Sequence, residues 1–200
     1  MNFVNSKFYY VLEKITNFFL LNIIWLLLSL PLITLYPATA AMFAVLRDWR
    51  QGKGSGVFRS FLRYFKTYFK HSFLYGLLWF LFAAIFIIDL SLINELEFSA
   101  NTSLIMTSLL FMLGLIVAFN MIYIIPVTIH FNLSFFGKIK HAFLFSIMYF
   151  PTTILCILIV AAMTLLVFLV PALMFIVFST GSYLIFRLCY RTFLKVGQTN

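Results

Sequence analysis

The stretch Asn22–Leu46, NIIWLLLSLPLITLYPATAAMFAVL, decides the fold. It carries no charge, yet Pro31 and Pro37 interrupt it, and the small-residue run Ala38-Thr39-Ala40-Ala41 follows. Each proline removes a backbone donor and crowds the preceding turn, so one straight helix through both is excluded. Backbone groups freed at a break are costly in hydrocarbon unless protein or water satisfies them. A break at membrane depth therefore needs neighbouring helices around it, which places this segment at the centre of a bundle. The apolar run starts near Phe18, and a first crossing over 18–36 uses its length. Pro37–Leu46 is too short to recross a bilayer that takes roughly 20 helical residues. The expectation is one proline-broken span and not a hairpin.

The composition agrees. The chain of 200 residues is 64% hydrophobic and 10% charged, with a mean hydropathy of +1.09. A soluble domain carries about 25% charged residues, so this chain lacks the polar surface to cover itself in water. It reads as a single all-α integral membrane domain over residues 1–200. Twenty-seven Phe and ten Tyr suit lipid-facing and interfacial positions. An Ala38-Thr39-Ala40 sequence mimics a signal-peptidase site, but the apolar run before it exceeds a signal-peptide core, so no cleaved leader is expected.

Outward from the broken segment, residues 1–17 have the spacing of a short amphipathic helix at the interface. Further apolar runs predict spans at 72–90, 104–129 (interrupted by Pro126), 142–166 and 171–188. Pro171 suits the first turn of the last. Five spans result. Between the first two lies a glycine-rich turn, Gly52 to Gly56, followed by VFRSFLRYFKTYFK over 57–70. Phe58, Phe61, Leu62, Phe65 and Phe69 share one helical face, and Arg59, Arg63, Lys66 and Lys70 the other. That pattern predicts an interfacial helix with its aromatics in the membrane and its cations toward anionic inner-leaflet lipid, or toward a cytosolic partner. Four cations near an anionic surface contribute roughly 4 kcal/mol of attraction.

The net charge of +9 thus points to a membrane surface and not to nucleic acid. Twelve of the fourteen Lys and Arg residues fall in 47–70, 130–141 and the C-terminal tail, whereas the 89–103 connection holds Asp89, Glu95 and Glu97 and no cation. The positive-inside rule puts the basic segments in the cytoplasm of a bacterial plasma membrane, with the C-terminus inside and the N-terminus outside. Lys7 and Lys14 dissent.

Candidate chemistry is sparse. His71, His130 and His141 show no ligand spacing, and Cys156 and Cys189 read as small buried hydrophobes. The acids have no basic partner arranged for proton transfer. No catalytic group, metal site or cofactor site is expected, and the chain reads as a non-enzyme. The intramembrane polar residues Asn22, Thr34 and Asn120, with Pro31 and Pro37, are the candidates for helix packing or for lining a path through the membrane.

The string Asn22-Ile-Ile-Trp25, Ser29-Leu-Pro31-Leu-Ile-Thr34 and Pro37-Ala-Thr-Ala-Ala41, with the basic-aromatic 58–70 stretch, resembles the signature of the YesL family, bacterial membrane proteins classed as a domain of unknown function. Its members usually carry Gly where this chain has Tyr36. The resemblance implies a setting beside carbohydrate uptake systems, with sugar importer or sensor kinase subunits as partners, and it supplies no catalytic residue. The expected function is a non-enzymatic accessory to carbohydrate uptake or sensing. The alternative is a small transporter or channel whose path lies at the broken first span.

Overall fold

A computed structural model of the chain describes residues 3–53, 56–95 and 99–197. Seven helices follow in order: α1 (Phe3–Ser29), α2 (Leu35–Arg50), α3 (Val57–Glu95), α4 (Ala100–His130), α5 (Phe135–Met148), α6 (Phe150–Leu169) and α7 (Met174–Gly197). Short 3-10 turns at Leu32–Thr34 and Pro171–Leu173 precede α2 and α7. The all-α expectation holds, with no strand among the described residues. Five helical stretches are long and apolar enough to cross a membrane: Tyr9–Ser29, Val57–Ile93, Asn101–His130, Phe150–Leu169 and Pro171–Lys195. Glu97 of the acidic connection and Gly54 of the glycine-rich turn lie outside the described residues.

The first apolar segment is a hairpin, which corrects the expected broken span over 18–36. Near the turn, Trp25 Nε1 donates to Thr39 Oγ1 at 3.1 Å, and at the far end the Phe18 and Trp49 rings meet at 5.2 Å. The two helices therefore run antiparallel. α2 spans 16 residues, about 24 Å at 1.5 Å per residue. It returns successfully because it is walled by protein and has no bilayer thickness to match. Ala38, Ala40, Ala41, Met42, Ala44, Val45 and Leu46 are fully buried. The small side chains let α1 and α3 close on it. Tyr36 packs on Gly76 of α3, where an added Cβ would lie 3.0 Å from the ring. From Gly76 the acidic end of α3 at Asp89 is still about 20 Å away. The hairpin turn consequently sits beside the middle of α3, with Leu30, Leu32 and Ile33 exposed (76%, 78% and 56%).

The turn satisfies its own backbone. Thr34 Oγ1 donates to the carbonyls of Leu28 (2.5 Å) and Pro31 (2.7 Å), and Thr34 N–H donates to Pro31 O. Ser29 Oγ donates to Trp25 O and Leu26 O. These hydroxyls stand in for the donors the interrupted helix lacks. At its other end α2 closes on Gly52, whose φ of +70° suits a residue without Cβ. Lys53 N–H donates to Asp48 O and Gly52 N–H to Trp49 O, the paired bonds of a left-handed helix cap.

Three further boundaries differ from expectation. Residues 57–70 are not a separate interfacial helix but the first part of α3, which runs 39 residues, about 58 Å against roughly 30 Å of hydrocarbon. Nothing in 57–72 breaks a helix, and its aromatic face has a protein partner: Phe61 is fully buried against α2, while Phe58 stays exposed. The 142–166 stretch is divided between α5 and α6, because Pro151 opens the first turn of α6 and Tyr149 leaves the helical conformation (φ −113°, ψ 45°). α4, in contrast, passes through the buried Pro126 without ending.

The hairpin also places the N-terminal half of α1 otherwise than an outside N-terminus would have it. Glu13, Lys14 and Asn17 of α1 share a cavity wall with Trp49, Arg50 and Gly52, and with Tyr183 of α7. Arg47 at the end of α2 reaches Ile129 O at the end of α4. The N-terminal half of α1 thus lies at the same end of the bundle as the 47–56 connection and the C-terminal half of α7. A start of α1 on the side opposite the basic segments does not fit this arrangement. Lys14 ceases to be a dissenter; the side chain of Lys7 is outside what is described.

Candidate functional site

The ion pairs and cation–π contacts found among the described residues gather at this basic end. Asp48, the single acid between Arg47 and Lys70, is 5% exposed in the last turns of α2. A buried carboxylate needs partners. Tyr64 of α3 donates its hydroxyl to Asp48 Oδ2. Arg63 lies 3.8 Å from Oδ2 and Arg47 3.9 Å from Oδ1. Arg63 also stacks over the Tyr64 ring at 4.9 Å, and Arg47 Nη1 donates to Ile129 O at 2.6 Å. One carboxylate thereby joins α2 to α3 and, through Arg47, to α4. The cluster thus fastens the end of α2 to the start of α3 and to the end of α4, beside the 51–56 connection.

Beside it a cleft of about 590 Å³ opens between α1, the end of α2, the start of α3 and α7. Glu13, Lys14, Asn17, Trp49, Arg50 and Tyr183 supply its functional groups. Lys14 Nζ lies over the Tyr10 ring at 4.4 Å, and the Arg50 guanidinium over Tyr190 at 4.5 Å. Among the described residues neither cation is ion-paired with a carboxylate. Aromatic faces orient them and leave their charge uncancelled. A second cavity, of about 440 Å³, lies toward the acidic end between α3 and α4, lined by Asp89 and six apolar residues.

The residues singled out from sequence are dispersed. Asn22 is fully buried and donates Nδ2 to Met174 O (2.8 Å), tying α1 to the start of α7. Asn120 donates Nδ2 to Ile139 O (2.9 Å), tying α4 to α5. The Oδ1 of each has no partner among the described residues. The two asparagines serve different helix pairs. Pro31 lies exposed in the hairpin turn beside Thr34, and Pro37 is buried in the first turn of α2. Arg59, Arg63, Lys66 and Lys70 are all exposed on α3, and Arg63 alone among them reaches Asp48. No group of three or more potential metal ligands occurs among the described residues.

Asp48, Tyr64, Lys14, Arg50 and Tyr183 escape a reading by span, because each acts across helices. One signal was available: a solitary acid inside a strongly basic stretch tends to be held by its neighbours.

Long apolar helices, an internal proline hairpin and charge collected at one end define a polytopic helical membrane protein. The chain belongs to the family described as "Protein of unknown function, DUF624", which matches residues 18–90. It is also 31% identical over 191 residues to "Uncharacterized protein YteU" of Bacillus subtilis (strain 168), covering 93% of this chain and 85% of that protein. No solved structure matches. The resemblance read from residues 22–70 is borne out at the level of the family.

Proposed function

We propose that the protein is a non-enzymatic accessory of a carbohydrate uptake or sensing system in a bacterial plasma membrane. Its basic end faces the cytoplasm, with both the N-terminal helix and the C-terminal tail on that side. The observation that carries this reading is the length of α3: its first turns extend beyond the hydrocarbon thickness and present Arg59, Lys66 and Lys70 exposed on one face. Such a rigid cationic rod suits contact with acidic surfaces of importer or sensor kinase subunits, and with anionic lipid beneath them. The carbohydrate setting comes from the family resemblance. Copurification from native membrane tests it: importer or kinase subunits come down with the intact chain and are lost on Arg59→Gln/Lys66→Gln/Lys70→Gln. Recovery of the chain without them overturns it.

The unpaired Oδ1 atoms of Asn22 and Asn120 favour a second reading, a small transporter or channel with its path beside the hairpin turn. Flux in reconstituted vesicles that disappears on Asn22→Leu or Asn120→Leu supports it; absence of flux for sugars and ions removes it.

A further inference from the structure

The cleft at the basic end has packed aromatic walls, and its charged groups make no ion pair among the described residues. Lys14 and Arg50 enter it from α1 and α2, held over Tyr10 and Tyr190 and not neutralised by a carboxylate among the described residues. Glu13 lines the same cleft, next to Lys14 in sequence yet not ion-paired with it. Two cations and one anion, all solvent-accessible on the rim of one cleft and not ion-paired with each other, match a ligand that is itself dipolar. Trp49 and Tyr183 furnish amphipathic walls of the type found where one end of a ligand is wet and the other apolar. Val11, Ile15 and Phe19 form an exposed apolar row on the adjoining face of α1, leading from the cleft along the helix toward the hairpin turn (54%, 56% and 41% exposed).

We propose that this cleft holds a phosphodiester headgroup bearing an amine, with the phosphate at Lys14 and Arg50, the amine at Glu13, and an acyl chain along Val11, Ile15 and Phe19. Charge-assisted hydrogen bonds from both cations fix the phosphate, and the guanidinium can meet two of its oxygens at once. The carboxylate of Glu13 selects an ethanolamine-type headgroup over a glycerol-type one. This site is independent of the accessory reading, which rests on the opposite, exposed stripe of α3.

The test uses the full chain in detergent, stripped of lipid and then offered phosphatidylethanolamine, phosphatidylglycerol or glycerol 3-phosphate, with bound ligand counted by native mass spectrometry. The expected result is one phosphatidylethanolamine per chain, retained about ten-fold less by Lys14→Gln/Arg50→Gln. Lys14→Arg/Arg50→Lys restores retention. Glu13→Gln leaves both cations in place and moves the preference to phosphatidylglycerol, a readout that stands even where the double variant folds poorly. Lys140→Gln/Arg191→Gln, at two exposed cations that do not line the cleft, serves as a charge-matched control and leaves retention unchanged. Equal loss in that control, undiminished retention without Lys14 and Arg50, or an unchanged headgroup preference in Glu13→Gln overturns the proposal. Displacement of the lipid by glycerol 3-phosphate at equal concentration also overturns it and assigns the cleft to a soluble phosphate.

Discussion

The Tyr64 hydroxyl donates to the buried Asp48 carboxylate across the junction of α2 and α3. Both residues fall in a stretch whose sequence reads mainly as cationic surface. The bond makes that stretch the clasp between α2 and α3. Tyr64→Phe removes one bond to a charged acceptor and is expected to cost about 1–2 kcal/mol of stability. Asp48→Ala is expected to cost about 3 kcal/mol, since Arg47 then loses the one carboxylate paired with it among the described residues. Thermal unfolding in detergent reads both, and the double variant loses less than the two singles together.

Thr34 carries the break in the hairpin. Thr34→Val keeps the shape and deletes the hydroxyl that serves Leu28 O and Pro31 O. The expected loss is about 1–3 kcal/mol, whereas Thr34→Ser is nearly neutral. Equal stability of the valine variant would show that water reaches the turn.

Gly76 leaves room for Tyr36. A Cβ there meets the Tyr36 Cβ and Cγ at 3.2 Å, atoms near the backbone that cannot swing away. Gly76→Ala should cost about 1 kcal/mol, overpacking outweighing the gain in helix propensity. Placed on a Tyr36→Gly background, the same substitution should cost nothing. Relatives with Gly at the position of Tyr36 are expected to tolerate a larger residue opposite it.

The hairpin predicts which positions share a side of the membrane. Single cysteines at Glu13 and Lys53 should react together with a membrane-impermeant reagent from one side, and a cysteine at Glu95 from the other. The native Cys156 and Cys189 are buried and stay silent. Labelling of positions 13 and 53 from opposite sides would contradict the antiparallel pairing of α1 and α2.

Lys138, at the start of α5, is 5% exposed, and burial holds its ammonium below the ordinary lysine pKa of 10.5. The unfolded chain therefore binds more protons at this position than the folded chain between the lowered value and 10.5. Stability should rise with pH through that window. Below it, where both states are protonated, the full penalty for a buried cation applies. Lys138→Met should raise the unfolding temperature at neutral pH and narrow its gap to wild type as pH climbs toward 10.

Much of this architecture is legible in the residues alone. Hydropathy locates the apolar helices because lipid leaves a long apolar helix few alternatives, and the prolines at 31 and 37 mark the break because they cannot donate. The alternating stripes over 57–70 correctly separate exposed cations from an aromatic face. What pattern cannot reveal is the occupant of that face. Phe61 meets α2 and not lipid, since both are apolar and a hydrophobic stripe does not distinguish them.

Residue pattern was enough to mark a helical membrane protein, the places where its chain is interrupted, and the few segments in which its cations collect. Those properties follow from local composition and backbone chemistry, which need no knowledge of neighbours. Tertiary contacts decided that the interrupted segment turns back on itself, that the N-terminal half of α1 and the C-terminal half of α7 lie at the basic end, and that Lys14 and Arg50 share a cleft. Each depends on contacts between residues far apart in the chain. A buried Ala-rich helix of 16 residues is stable only because the surrounding helices release it from spanning the bilayer.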